Sequence, residues 1–181
     1  MRNPEFARII AERRSAKPKI QTQPGPSAEV LEAAAKAARS TPSHNASFPV
    51  RFVNVLSREK FAELFVKALP ADADQAKIDR ARSKAMKGAC AIAVIGPRPG
   101  PGTFPGEDME NLMTAGGALT NFLNVLYAEG FGAFTVTGRD FPDPEGLYDP
   151  KTERLLCFIL CGTLAESPEP RPETASLLTE W

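Results

Sequence analysis

Apolar residues recur at the helical spacing of three and four in several parts of the chain. In the clearest case, residues 57–69, Phe61, Leu64 and Phe65 share one face. Capping residues mark helix starts, because Asn3 is followed by proline and Ser27 precedes an alanine-rich run. The pattern predicts helices that start at Asn3, run from Ser27 to about Arg39, cover 57–69, run from Asp74 to Lys87 before Gly88, and run from Glu107 to about Glu129.

Strands are predicted where β-branched and aromatic residues cluster without helical spacing: residues 50–56, 89–95, 131–136 and 154–163. The runs 89–95 and 154–163 are almost continuously apolar and are therefore expected to be buried. Helices and strands are interspersed but do not follow a regular βαβ alternation. We predict an α+β fold in one domain over residues 1–181, with a sheet of four or five strands packed by helices and the long helix 107–129 central.

Two glycine-containing segments bear on the packing. In residues 96–106, GPRPGPGTFPG, eight of eleven residues are Gly or Pro. This composition predicts a surface excursion, a candidate flap over a site, and excludes helix or central strand.

Gly116 and Gly117 lie inside the long apolar helix, where each costs roughly 1 kcal/mol relative to alanine. Close approach of another backbone would offset that cost, in a core or against a second subunit.

Composition excludes several classes of protein. Lys plus Arg and Asp plus Glu both number 22, so a general nucleic-acid binder is not indicated. No apolar run approaches the ~18 residues of a membrane span, and the N-terminus lacks a signal-peptide core, so we expect a cytoplasmic protein.

The three cysteines show no CxxC spacing and are expected to be buried small hydrophobes. One histidine excludes a His-rich metal site.

The usual catalytic constellations are not found in the sequence. There is neither a GxSxG nor a Walker A motif, and His44, the single imidazole, lies in the polar loop PSHNAS. Asp108 and Glu110 stand two apart on a helix and point in different directions. If the protein is an enzyme, a cofactor should carry the reaction.

A cluster of cations follows the first helix. Residues 13–17 read RRSAK and supply two guanidinium groups, a hydroxyl and an ammonium group. Arginine binds phosphate through two hydrogen bonds, and turn amides can complete an anion site. The alternative is that Arg13, Arg14 and Lys17 complement the negative end of the helix and stay solvated.

Four motifs follow one another along the chain. They are RRSAK, the loop PSHNASFPVRF that leads into a strand, the helix end and strand EGFGAFTVTG, and an apolar strand that ends in glycine before a proline-rich tail with Arg-Pro. Over nearly its whole length the chain resembles the FMN-dependent nitroreductase family, in particular its small members. The resemblance implies a three-layer α+β sandwich with a mostly antiparallel central sheet, and an intertwined homodimer with FMN at the interface. It also implies that NAD(P)H reduces the flavin and that an electron-poor acceptor, such as a nitroaromatic or quinone, is reduced in turn by ping-pong kinetics.

The resemblance also implies roles for individual residues, with no dedicated catalytic side chain. Arg13, Arg14 and Ser15 would hold the phosphate and the pyrimidine edge, with Lys17 as a further cation and Lys19 as its possible substitute. Ser40 and His44 would reach the flavin from the partner chain. Thr135, Val136, Thr137 and Gly138 would lie beneath the ring, where the N–H of Thr137 or Gly138 meets its reactive nitrogen. Arg171 would be a second phosphate ligand.

Departures from the family pattern leave alternatives open. The family's loop usually reads Gln-Pro-Trp before the strand, where this chain has Phe48-Pro49-Val50. The strand-end segment often has Trp-Arg-Ser before its glycine, where this chain has Thr-Val-Thr. One alternative is a flavin-binding protein with little reductase turnover: a carrier, a sensor or an offshoot of the family. Another is a dimeric domain whose arginine pair binds a different phosphate.

Overall fold

The helices and strands follow the hydrophobic pattern closely. The structure is a computed structural model and describes residues 3–43, 48–137, 141–142, 146–172 and 178. Its elements, in chain order, are α1 (Pro4–Glu12), a short 3₁₀ helix (Pro18–Ile20), β1 (Gln21–Thr22), α2 (Ala28–Ala38), β2 (Arg51–Asn54), α3 (Arg58–Lys67), α4 (Gln75–Ala85), β3 (Cys90–Pro97), α5 (Pro105–Ala128), β4 (Phe131–Thr137) and β5 (Glu153–Leu164).

The predicted helices and strands are confirmed, and their caps have the expected chemistry. The side chains of Asn3 and Ser27 accept hydrogen bonds from the backbone N–H groups of Phe6 and Val30. Gly130, just past α5, has a φ of 83°, which a β-carbon would disfavour. The 3₁₀ helix and β1 were not predicted, because three and two residues are too few to show a periodicity.

The prediction for residues 96–106 is partly wrong. Gly96 and Pro97 belong to β3, which lies between β2 and β5, and α5 already begins at Pro105. The pairing of β2 with β3 ends at Ile95, so at Pro97 the strand has one neighbour and tolerates a residue without N–H. A proline in the first helical turn loses no intrahelical bond. Only the residues between Pro97 and Pro105 form the excursion.

The sheet has five strands, and every pairing in it is antiparallel. Strand β5 is central and carries β3 along one edge and β4 along the other. The short strand β1 pairs with the same edge of β5 as β3 does. Thr163 of β5 has Thr22 of β1 on this edge and Phe131 of β4 on the opposite edge. Strand β2 lies outside β3, and β5 is the single strand hydrogen-bonded to β4 in the part of the chain that the structure describes.

Helices cover both faces of this sheet. Side chains alternate along β3: Ile92 and Val94 pack with α2 and α5, whereas Ala91, Ala93 and Ile95 pack with α3 and α4. The result is a three-layer arrangement with two apolar cores, as expected. Phe122 and Leu126 of α5 are fully buried, and Phe61 of α3 is the counterpart on the other face. No helix among the described residues combines the length and apolar character that crossing a membrane requires.

The glycine pair of α5 has two different environments. A β-carbon on Gly117 would lie 2.5 Å from Cγ2 of Thr41, so here glycine admits a side chain of the loop after α2 rather than a backbone. At Gly116 the same atom would meet nothing within 4 Å. The close approach of another backbone is therefore not found within the protomer: a side chain approaches Gly117 instead, and no atom approaches Gly116 within 4 Å.

An ion pair joins β2 to the start of β5. Arg51 Nε and Nη2 donate to the two carboxylate oxygens of Glu153 at 2.7 and 2.8 Å, and the N–H of Asp149 donates to the same carboxylate. The hydrogen bond from Arg51 is the main reason why the pKa of Glu153 falls from 4.5 to about 2. The folded state is therefore stabilised by the charged carboxylate.

Replacing Arg51 with glutamine is expected to lower the free energy of unfolding at pH 7 by about 0.2–1 kcal/mol, the range for an exposed pair. Since the pKa of Glu153 is lower in the folded chain, this contribution is complete above pH 4.5 and is lost as the pH falls toward 2. Urea denaturation of both proteins at pH 7, 4 and 3 measures the deficit. A deficit that stays constant over this range would contradict the assignment.

Candidate functional site

The RRSAK segment lies against the free edge of β4. Helix α1 ends at Glu12, and the N–H of Ala16 donates to the carbonyl of Ala133 at 2.9 Å. The contact depends on Gly132, because a β-carbon there would lie 2.7 Å from Cβ of Ala16. The sheet therefore fixes where the cations of residues 13–17 are presented.

A buried glutamine holds the same segment from the other side. Gln21 Nε2 donates to the carbonyl of Ala16 at 2.8 Å and to that of Leu160 at 3.2 Å. Sequence reasoning missed both Gln21 and Gly132. A glycine inside a strand could have indicated a close backbone approach at Gly132. Gln21 gave no comparable signal, because its hydrogen bonds depend on tertiary structure.

The structure brings Arg171 close to the arginine pair that follows α1. The pKa of Arg13 is lowered, first because the guanidinium is partly buried, and then because Arg171 and Arg14 repel its charge. Within the described residues, none of these three cations pairs with a carboxylate. A half-buried cation among like charges, with no counter-ion from the protein, is a favourable place for an anion.

The guanidinium of Arg14 is only partly hydrogen-bonded by the described residues. Its Nη1 donates to the carbonyls of Ala11 and Arg13, so it does complement the end of α1, as the alternative interpretation predicted. Its Nε is buried and has no hydrogen-bond partner in the described structure. A phosphate oxygen would satisfy that donor. Ser15 and Lys17 are exposed beside this cluster.

Strand β4 has main-chain groups that no strand of the described residues pairs with, on the edge away from β5. The carbonyl of Ala133 points away from β5, because it accepts from Ala16. Main-chain groups alternate along a strand, so the N–H groups of Thr135 and Thr137 also point away from β5. Thr137 lies four residues beyond Ala133, roughly 13 Å along the strand. Backbone donors are therefore available at a distance from the arginine cluster.

A cavity of about 560 Å³ opens next to this edge, between β4 and α4. Pro18, directly after Lys17, lines it, and its walls include Phe134 and Val136. Its volume suits a small-molecule ligand. Sequence reasoning missed the cations that line the cavity from α4 and the residues after it, although the spacing of the first three predicts one helix face: Lys77, Arg80, Lys84 and Lys87.

The remaining predicted site residues are placed as follows. Ser40 is exposed, donates to the carbonyl of Ala37 at 2.8 Å and accepts from Nδ2 of Asn121 at 3.1 Å, so its hydroxyl also attaches the loop after α2 to α5. His44 and Gly138 lie outside the described residues. Phe48 and Val50 pack into the core between the sheet and α5. At these two positions the departure from the family's Gln-Pro-Trp pattern therefore alters the packing of the core.

Metal chemistry has no support here. Within the described residues there is no group of three His, Cys, Asp or Glu side chains that could hold an ion. What the site offers is uncompensated positive charge, free backbone donors and apolar walls.

Comparison with known proteins decides the family. The model of the nitroreductase family matches residues 10–163, which include the cationic segment, β4 and nearly all of β5. The chain belongs to the nitroreductase family. This assignment indicates an oxidoreductase. No match was found among curated proteins.

Solved structures of nitroreductases share the fold. A nitroreductase-like family protein from Bacillus cereus is 18% identical with a TM-score of 0.76, over 97% of this chain and 94% of that one. A structure from Desulfovibrio desulfuricans, in complex with FMN, is 20% identical with a TM-score of 0.73, over 100% and 98%. A nitroreductase from Desulfitobacterium hafniense with bound FMN is 20% identical with a TM-score of 0.68, over the full length of both chains. At these identities the likeness concerns the fold.

Proposed function

We propose that this chain is an FMN-dependent NAD(P)H oxidoreductase that reduces nitroaromatic, quinone or similar electron-poor acceptors. The observation that carries the proposal is the cluster of arginines, without counter-ions in the described part of the chain, beside the edge of β4 and its cavity. Family membership and the FMN bound in two similar structures support it.

The arginine cluster would hold the phosphate of FMN. Arg13 and Arg171 supply charge that no carboxylate of the described residues neutralises, and Arg14 supplies an Nε that has no partner among those residues. Ser15 and Lys17 lie exposed next to them and can add a hydroxyl and an ammonium donor. Charged hydrogen bonds of this kind are short and strong. They raise the affinity for the ligand and also fix its position.

The edge of β4 would hold the ring system. Phe134 and Val136 provide apolar contact, while the N–H of Thr137 or of Gly138 would donate to a ring nitrogen. Arg80 and Lys84 line the cavity and would stabilise negative charge on the pyrimidine edge. Bound FMN supplies the hydride-transfer chemistry. The chain's own task is to position the cofactor and keep one ring face accessible.

The same accessible face would serve donor and acceptor in turn. NAD(P)H would bind there, give up a hydride and leave, and the electron-poor acceptor would then take its place. This alternation gives ping-pong kinetics. Since no acid or base of the protein has to act, the proposal agrees with a site in which no catalytic pair was found among the described residues.

A homodimer would complete the site. Helix α1 buries none of its residues in the protomer, and Phe6 remains 60% exposed. On α5, Met109 and Met113 are 63% and 71% exposed, close to the open space at Gly116. Apolar side chains exposed on two neighbouring helices indicate a protein interface. In the proposed dimer, Ser40 and His44 reach the flavin of the partner protomer.

Replacing Met113 with aspartate is expected to convert the dimer to protomers, because burying an unpaired carboxylate costs several kcal/mol. Size-exclusion chromatography with light scattering gives the mass. Leu56→Asp is the matched control: Leu56 is 86% exposed at the end of β2, so its replacement should leave the dimer intact. A wild-type protein that is a single protomer in solution contradicts the proposed interface.

The absorption spectrum of freshly purified protein tests the function. We expect yellow protein with bound FMN, which NADH or NADPH bleaches anaerobically and an added quinone restores. Colourless protein that FMN cannot reconstitute contradicts flavin binding altogether. Yellow protein that neither nicotinamide reduces indicates instead a carrier or sensor.

A further inference from the structure

Two cysteines face each other across neighbouring strands. Cys90 at the start of β3 is the register partner of Cys161 in β5, and both side chains contribute to the core on the α2 and α5 side of the sheet. Their sulfur atoms lie 2.6 Å apart. Opposite residues of antiparallel strands have Cα atoms ~4.5–5.5 Å apart, and a disulfide accepts ~4.4–6.8 Å. Register partners such as Cys90 and Cys161 are therefore expected to have a Cα separation that a disulfide accepts.

Arg58 makes this pair electrostatically unusual. At the N-terminus of α3, its Nη2 donates to the carbonyls of Ala85 and Lys87, but its Nη1 is buried without a partner in the described structure. The guanidinium interacts electrostatically with both Cys90 and Cys161. A buried positive charge that acts on both sulfur atoms favours a thiolate there.

The two thiols differ in the way that a reactive pair needs. The pKa of Cys90 is lowered, first by the hydrogen bond with the Cys161 thiol and further by the charge of Arg58, although burial opposes both. The pKa of Cys161 is raised, because its proton is held in that hydrogen bond and the side chain is buried. Cys90 is also the more accessible, being half-buried where Cys161 is fully buried. Cys90 therefore suits the attacking thiolate and Cys161 the resolving thiol.

The third cysteine offers an internal comparison. Cys157 lies four residues before Cys161 on the same strand and is buried in the same core. Burial raises the pKa of its thiol to about 12. It should stay reduced under conditions that oxidise the pair.

We propose that Cys90 and Cys161 form a redox-active dithiol, which a hydroperoxide converts into an intramolecular disulfide between β3 and β5. The Cys90 thiolate attacks the peroxide, so that an S–O bond forms, the O–O bond breaks and hydroxide leaves. The Cys161 sulfur then attacks the Cys90 sulfur, the S–S bond forms, the S–O bond breaks, and water departs with the remaining proton. In total, two thiols and one hydrogen peroxide give one disulfide and two waters.

This site is independent of the proposed flavin chemistry, since the pair reacts without a cofactor. It also changes the interpretation of the cysteines, which the sequence predicted to be buried small hydrophobes. Spacing could not reveal it, because 71 residues separate Cys90 from Cys161 and only the strand register joins them.

The experiment uses the full-length protein, reduced and freed of reductant under anaerobic conditions, then treated with equimolar hydrogen peroxide. We expect two of the three thiols to disappear from a titration in denaturant, with the mass falling by two hydrogen atoms. Peptide mapping should link Cys90 to Cys161, and dithiothreitol should restore all three thiols. Unchanged mass with three thiols, or a disulfide that contains Cys157, overturns the proposal.

Single variants separate the roles of the two sulfurs. Cys161→Ser should leave a sulfenic acid on Cys90 that dimedone labels, whereas Cys90→Ser should leave Cys161 a thiol. Cys157→Ser is the matched control and should form the disulfide as the wild type does. Equal dimedone labelling of the wild type and Cys161→Ser contradicts a resolving function for Cys161. The mapping of the wild-type protein keeps the proposal testable if a variant fails to fold.

Discussion

Replacing Gly132 with valine is expected to displace the RRSAK segment from β4 and to abolish most flavin binding. A β-carbon at this position lies 2.5 Å from Cδ2 of Leu164 and 2.7 Å from Cβ of Ala16. Leu164 can change its rotamer, but the β-carbon of Ala16 moves only with its backbone. That backbone is held by the hydrogen bond from the N–H of Ala16 to the carbonyl of Ala133. Such overpacking costs about 1–3 kcal/mol of stability. Displaced cations should lower FMN affinity at least about tenfold, or 1.4 kcal/mol.

Urea denaturation and a titration of FMN fluorescence measure the two effects separately. Gly100→Ala is the matched control, because a β-carbon there meets nothing within 4 Å and neither property should change. If Gly132→Val loses stability but keeps its FMN affinity, the contact between the segment and the strand does not set the phosphate site.

Replacing Arg13 with alanine is expected to weaken FMN binding by about 1–3 kcal/mol, the value of a charged hydrogen bond. Arg13 is partly buried, and Arg171 and Arg14 repel its charge, so an anion that binds there relieves this repulsion. Removal of this repulsion should also leave the folded protein without FMN at least as stable as the wild type. Isothermal titration with FMN measures the change in affinity.

Riboflavin, which lacks the phosphate, provides the sharpest comparison. Arg13→Ala should bind riboflavin as the wild type does, because the ring contacts are unchanged. Arg82→Ala is the control for loss of a surface arginine, since Arg82 pairs with Glu63 and does not line the cavity. Unchanged FMN affinity in a folded Arg13→Ala protein would refute the phosphate assignment.

The fold could be predicted to the extent that its signals are local. Periodicity and capping located all the longer helices, and continuous apolar runs located β3 and β5, because such patterns depend only on neighbours along the chain. The error at Gly96 and Pro97 arose because composition says nothing of where a neighbouring strand ends. That boundary, at Ile95, is a property of the pairing between β2 and β3.

The candidate site, too, could be predicted only where its signals are local in the sequence. Arg13, Arg14 and Lys17 are adjacent in the sequence, so their shared location could be predicted without the fold. Their connection with β4 could not, because it depends on Gln21 and on the missing side chain of Gly132. The cations of α4 face the same cavity only because the sheet brings β4 opposite that helix.

The unpaired side of β4 has a consequence for handling the protein. A strand with open N–H and C=O groups along one side is a template to which another polypeptide can add. Ala16 donates to one of these groups in β4, and within the described residues no strand pairs with those of Thr135 and Thr137. FMN bound as proposed would cover this edge. We therefore expect protein purified from riboflavin-starved cells to precipitate more readily than protein saturated with FMN, at equal concentration and temperature.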